Sequence, residues 1–319
     1  MGKLISRTLT AAADVKVADH LANGPKTVAE LAQLTSTNED ALYRILRALC
    51  AAGIFTESGD RTFANNEVSD LLVSNTQGSL HNMVRWINCR PAWAAWERLD
   101  YSLETGKPCF DEVFDKQVFD YFQEDKETAE IFHGAMSSFS TMTGHAVAEA
   151  YDFSGINKIA DLGGGHGALL STIIAQNPNM RGVLFDLPEV VQGAELGDLK
   201  DKIDIESGSF LEGVPQGADA YIMKHIIHDW DDERSIAILN HCRESMSDNG
   251  KVLVVDMVIT DAPESAFGKL IDIEMLAMTP GGRERTAEEF EALFAQAGFK
   301  VARIIPTQSP VCIVEGVKA

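Results

Sequence analysis

Residues 159–178 read IADLGGGHGALLSTIIAQNP, and the fold turns on how this stretch is taken. Four glycines, Gly163, Gly164, Gly165 and Gly167, crowd the junction between a predicted strand and a predicted helix. Glycine lets the backbone approach a ligand closely, and the helix that follows offers free N–H groups. Ligands of doubly wound sheets sit at the carboxyl ends of the strands, where this loop would lie. A tight strand-to-helix turn with no ligand has the same composition, so the loop alone decides nothing. From Gly163 the spacing fits G-x-G-x-x-G only with Ala168 in third place, the permitted variant.

Working outward, the chain after Asn157 alternates between strand and helix patterns. KIADLGG, GVLFDLP, DIESGSF, ADAYIMKHI, KVLVVDMVI, FKVARIIP and SPVCIVEGV read as seven strands, with helices between the early ones. This predicts a parallel, doubly wound sheet closed at one edge by an antiparallel hairpin. The first hundred residues read differently, as short helices. Thr27 and Glu30 form a capping box, and Asn38 caps EDALYRILRALCAAG, in which Leu42, Ile45, Leu46 and Leu49 share one face. Two strand-like pieces around SGD follow, which is the order of a winged helix. Residues 80–151 form a helical, aromatic-rich linker. We therefore expect a winged-helix domain at 1–100 and an α/β domain at 101–319.

A net charge of −21 opposes binding to nucleic acid or anionic lipid, both of which need clustered Lys and Arg. The helix in the recognition position carries Arg44 and Arg47 but starts with Glu39 and Asp40, so packing against a second subunit suits it better than DNA. The N-terminus lacks a signal peptide's apolar region, since Asp14, Lys16 and Asp19 interrupt it, and no apolar run reaches the ~20 residues that span a bilayer. Five cysteines without metal-type spacing suit a reducing cytoplasm. The expected partners are a small molecule and a second copy of the chain.

The cofactor is read from two acids. Asp186 ends the second strand, where a carboxylate accepts from both ribose hydroxyls of a dinucleotide or an adenosyl group. Asp161 stands just before the glycines. A pyrophosphate would be repelled there, whereas a sulfonium or an amino group would be welcome, so S-adenosylmethionine is favoured over NAD. His228 follows the fourth strand in KHIIHDWDDE, which places it at the sheet's carboxyl edge. A phenol has a pKa near ~10 and an imidazole near ~6.5, so a neutral His at pH 7 can take the proton. His225 is read as a bystander. Asp229, Asp231, Asp232 and Glu233 are read as acids favoured at a helix N-terminus, and no metal is expected.

With DLGGGHG, FDLPEVV, GSF, MKHIIHDWDDE, KVLVVDMVI and MLAMTPGGRERTAEEFEALFAQAGF in order, the chain resembles S-adenosylmethionine-dependent O-methyltransferases of the plant caffeate and bacterial antibiotic-tailoring type. The likeness covers nearly the whole chain. It implies a Rossmann-like methyltransferase domain with an N-terminal, mostly α winged-helix domain that forms a homodimer. It also implies a hydroxyl of an aromatic or polycyclic small molecule as acceptor. It assigns His228 as general base flanked by Asp256 and Glu284, with Asp256 where the family usually has Glu. Asp161, Gly163, Gly165, Asp186, Leu187, Ser209, Phe210 and Lys224 fall at cofactor positions, Ser209 where the family usually has Asp. Phe132, Met136, Met275 and Met278 match positions around the acceptor. Three alternatives stay open: a relative drifted to decarboxylation or hydroxylation, a winged-helix regulator that senses the cofactor, and an NAD-dependent dehydrogenase.

Overall fold

In a computed structural model, which describes residues 1–76, 78–194 and 196–319, the chain divides into two compact units. The first comprises residues 1–93 and 122–139, the second residues 94–121 and 140–319. The helical stretch that follows the winged-helix region is thus shared between the two units.

The first unit opens with helices Gly2–Asp14, Val17–Leu21, Val28–Thr35 and Glu39–Ala51, followed by antiparallel strands Phe55–Ser58 and Thr62–Asn65. Lys26–Thr27 pairs on the other side of Thr62–Asn65 and completes a three-stranded wing. The local signals act as their chemistry dictates. The Thr27 side chain accepts from the Glu30 N–H while Glu30 reaches back to the Thr27 N–H, and Asn38 accepts from the Ala41 N–H. Leu42, Leu46 and Leu49 are buried with Leu31 and Phe63 in one core. Arg47 and Arg61 lie over the Tyr43 ring, which commits them within the unit.

The second unit holds the large sheet, formed by β1 (Lys158–Leu162), β2 (Arg181–Asp186), β3 (Ile203–Ser207), β4 (Ala220–Lys224), β5 (Lys251–Asp256), β6 (Phe299–Pro306) and β7 (Cys312–Lys318). Their order across the sheet is β6-β7-β5-β4-β1-β2-β3. The first five strands are parallel; β7 runs antiparallel to both β5 and β6. All seven strands expected from the sequence are present. Central β1, β4 and β5 are buried almost throughout, whereas edge strand β3 exposes most of its residues and edge strand β6 half of them. That is why the central segments read as nearly continuous apolar runs.

The chain steps outward from β1 to β3, then returns to the other side of β1 as β4. The reversal creates a crevice at the carboxyl ends of β1 and β4, where such sheets bind ligands. Among the described residues no helix is long and apolar enough to cross a membrane.

Candidate active site

The glycine loop follows β1 directly. Gly163 has φ +65°, a left-handed conformation that favours glycine, and an added Cβ would stand 2.3 Å from Ile226 Cδ1 and 3.4 Å from Phe210 Cε1. At Gly164 a Cβ would lie 2.5 Å from Leu184 Cδ1 and 2.8 Å from Asp161 Oδ2. The loop is therefore walled by β2, by Phe210 and by the segment after β4.

Two acids face this loop. Asp161 is 1% exposed, and its Oδ2 has no hydrogen-bond partner among the described residues. Burial pushes its pKa up to about 7, against the pull of Lys224. A buried carboxyl with an unused oxygen suits an amino donor or a cation. Asp186 accepts from the N–H of Gly165 at 2.8 Å and of Leu187 at 2.7 Å, one on each oxygen. A carboxylate offers about four lone-pair sites, so hydroxyls can still bind there. Burial raises Asp186 above the usual carboxylate range, against these two N–H groups. Lys224 ends β4; burial lowers it to about 8, with Asp161 and Asp256 opposing. Phe210 packs edge-on to Trp230, with centroids 6.2 Å apart. The Ser209 Oγ accepts from the Leu211 N–H at 3.3 Å and so serves its own turn.

His228 lies on a 3-10 turn, Ile227–Asp229, just beyond β4, and is 7% exposed. Its Nδ1 donates to Glu284 Oε1 at 2.7 Å, which leaves Nε2 as the atom free to exchange a proton. Glu284 is itself 3% exposed, and its N–H donates to Asp272 Oδ1 at 2.9 Å. Asp256, at the end of β5, is fully buried but takes a different partner: its Oδ1 accepts from the backbone N–H of His225 at 2.9 Å. A side chain one methylene shorter than Glu meets that backbone, and Asp256 acts on the His228 ring through its charge. Asp229, read as a helix-capping acid, lies 3.6 Å from His228 Nε2 instead. Asp231 caps helix Asp232–Ser245 by accepting from the Arg234 N–H, and Asp232 pairs with Arg285 at 2.7 Å.

The His228 imidazole does not keep its ordinary pKa here. Burial acts to lower it, but Glu284, Asp229 and Asp256 outweigh that and push it up to about 10.

Arg285 carried no signal in the sequence, yet it holds this turn. Fully buried, it donates to the carbonyls of Ile227 and Trp230, each at 3.0 Å, and to Asp232. The Arg283 N–H donates to the His228 carbonyl at 2.8 Å, so residues 283–285 grip the turn, its ring and its backbone together. Ile226, packed over Gly163, was also missed.

The expected acceptor residues fall in both units. Phe132 stacks on Phe122 and meets Trp86 edge-on in the first unit, where Met136 is half-buried. Met275 and Met278 are buried on helix Ala266–Met278 of the second.

Comparisons with known proteins bear on the family of the chain. A family model for an O-methyltransferase domain matches residues 96–300, and one for an O-methyltransferase dimerisation domain matches residues 1–75. Phenazine O-methyltransferase PhzM of Lysobacter antibioticus is 37% identical, over 98% of this chain and 93% of its own. The crystal structure of LaPhzM superposes with a TM-score of 0.96 at 36% identity, covering 100% of this chain and 97% of that one. NcsB1, an O-methyltransferase from neocarzinostatin biosynthesis solved with S-adenosylmethionine and 2-hydroxy-5-methyl naphthoic acid, gives a TM-score of 0.82. It is 29% identical, with 98% of this chain and 96% of that one covered.

Proposed function

The chain belongs to the S-adenosylmethionine-dependent O-methyltransferases, and on that ground we propose that it methylates a hydroxyl of an aromatic or polycyclic small molecule, with His228 as general base. The single observation that carries this is the 2.7 Å bond between His228 Nδ1 and Glu284 in a buried turn beside the glycine loop. It supports Nε2 as the nitrogen that takes the proton, because Nδ1 is engaged by Glu284.

The residues present fit the cofactor. The unused, buried Oδ2 of Asp161 offers an acceptor to a cationic or amino group, and the glycine cradle admits a ligand where a Cβ would collide. Asp161, Gly163, Gly165, Asp186, Leu187, Phe210 and Lys224 would hold it, with Ser209 at the rim. When bound, S-adenosylmethionine supplies an electrophilic methyl group on a sulfonium. The chain's own task is to place the acceptor oxygen and to take its proton. Placing two reactants in register replaces an encounter in solution, and base assistance adds ~10²–10⁴ in rate. A His228 pKa raised toward that of a phenol brings proton donor and acceptor close in energy. Glu284 and Asp229 then stabilise the imidazolium that forms. Phe132, Met136, Met275 and Met278 are proposed to contact the acceptor, since thioethers adapt to flat apolar shapes.

The test is incubation with labelled cofactor and a panel of phenols, hydroxyphenazines and hydroxyquinones, with products weighed. The expected product gains one methyl group on oxygen. Loss of carbon dioxide from an acceptor without methyl uptake would instead favour the drifted reaction. Calorimetry is expected to find micromolar binding of S-adenosylmethionine and S-adenosylhomocysteine and none of NAD; binding of NAD alone would overturn the cofactor assignment.

Ser209→Asp is expected to tighten cofactor binding by at most about tenfold, because a hydrogen bond to a charged group adds ~1 kcal/mol over a neutral one. An unchanged dissociation constant in titration would place Ser209 outside the cofactor shell. We also propose a homodimer through the first unit. Its helices expose Leu4, Ile5 and Leu34, and a dimerisation domain matches there. Light scattering at low micromolar concentration is expected to report twice 34.8 kDa; the mass of one chain would count against it. All five cysteines are free thiols, which suits the cytoplasm we propose for this enzyme.

A further inference from the structure

Next to the His228–Glu284 pair lies a second imidazole that the reaction does not use. The His225 and His228 rings have centroids 4.8 Å apart and are tilted by 32°. His225 Nδ1 is 3.6 Å from Asp256 Oδ1. One donor atom from each of His225, His228 and Asp256 lies within 4.8 Å of the other two. Asp256 is fully buried, and its Oδ2 has no hydrogen-bond partner among the described residues.

We propose that His225, His228 and Asp256 form a binding site for a transition-metal dication of the zinc type, and that its occupation blocks methyl transfer. The donor set is two imidazoles and one carboxylate, which suits zinc or cobalt and gives magnesium or calcium little reason to bind. His228 is already oriented for the purpose. Its Nδ1 is held by Glu284, which leaves Nε2 as the ligand atom, as in the carboxylate–histidine–metal arrangement that fixes the ring and raises its basicity. Zinc sits at ~2.0–2.2 Å from such donors, so a tetrahedral site needs them ~3.3 Å apart. The present spread asks for movements of roughly 1 Å, within reach of side-chain rotations. Asp229 and Glu284 add negative charge around the three ligands, and Lys224 opposes them. A metal on Nε2 occupies the lone pair that would take the acceptor's proton. The blockade, though not the binding, rests on the reading of His228 as base.

The test uses the whole purified chain, zinc ion alone as ligand, and a chromophoric chelator in competition. The variant His225→Asn removes one imidazole. His225 has φ +55°, and Asn is among the residues that tolerate this left-handed conformation, so the turn is retained. The cysteines are present in both proteins, so thiol binding cancels. The expected result is one zinc per chain bound at least tenfold more tightly by the wild type, with cobalt giving a visible tetrahedral band that the variant lacks. Asp256→Asn, which keeps an acceptor for the His225 N–H but loses the charge, is expected to weaken zinc by a similar factor. Methyl transfer by the wild type should fall with added zinc and return with chelator. In His225→Asn, referred to its own zinc-free rate, the same inhibition should need at least tenfold more. Equal zinc affinity in wild type and both variants would overturn the site. Tight binding that the variants lose, without inhibition of the wild type, would keep the site and count against His228 as base.

Discussion

Replacing His228 by alanine is expected to cut methyl transfer by ~10²–10⁴, or about 3–5 kcal/mol, with the affinity for S-adenosylhomocysteine near wild type. Alanine also leaves the buried Glu284 carboxylate without its partner, so lost activity and lost order must be separated. His228→Asn does this. Its amide N–H stands close to the place of Nδ1 and can still donate to Glu284, but it offers no basic nitrogen at the position of Nε2. Both variants should lose activity alike, while only the alanine variant loses thermal stability. Full turnover by either variant on a confirmed acceptor would remove His228 from the chemistry.

Arg285→Met should have the largest effect on stability. It leaves the Ile227 and Trp230 carbonyls without their main donor in a buried setting, at ~1–3 kcal/mol for each unsatisfied group. The Ser235 hydroxyl lies 3.4 Å from both carbonyls and recovers part of this. The Asp232 side chain is 59% exposed, so its ion pair with Arg285 counts for little. The net cost is about 2–4 kcal/mol, which lowers the melting temperature by roughly 5–15 °C. Turnover should fall as well, because the turn that carries His228 loosens. Arg285→Lys should rescue only part, since one ammonium cannot reach both carbonyls and Asp232 as a planar fork does. A melting temperature unchanged in Arg285→Met would show that Arg283 and the bridge between Trp230 and Gly281 hold the turn without it.

The contrast between these residues shows what a sequence can carry. Seven apolar segments separated by turn residues were enough to find the strands, because central strands bury both faces and edge strands do not. Asp161, the glycines and Asp186 were legible because strand-to-helix turns repeat their geometry in every doubly wound sheet. His228 and Glu284 are 56 residues apart and were paired only through the family likeness. Arg285 was hidden for a physical reason: its partners are main-chain carbonyls, which every residue has and which leave no trace in composition. Asp256 reaches His228 through its charge while its oxygen accepts from the His225 N–H, a main-chain partner that spacing along the chain does not show. Asp231, Asp232 and Glu233 do stand at the helix start, but Asp229, set apart from them by Trp230, lies beside His228 instead, a difference that four acids within five residues do not reveal. The raised His228 value depends on how many carboxylates converge, which spacing along the chain cannot count.

Asp272 sits on the same helix as Met275 and Met278, and it accepts the backbone N–H of Glu284 at 2.9 Å. The helix proposed to feel the shape of the acceptor is thereby tethered to the residue that aims the base. Selectivity and rate are not independent dials in such an arrangement. A substitution at Met275 or Met278 that tilts the helix to seat a bulkier ring would drag Glu284 with it and turn the imidazole off its line. Anyone redesigning this enzyme for a new acceptor should expect the first generation of variants to bind well and react slowly. Recovery should then come from residues 279–284, where slack between the helix and the base can be let out.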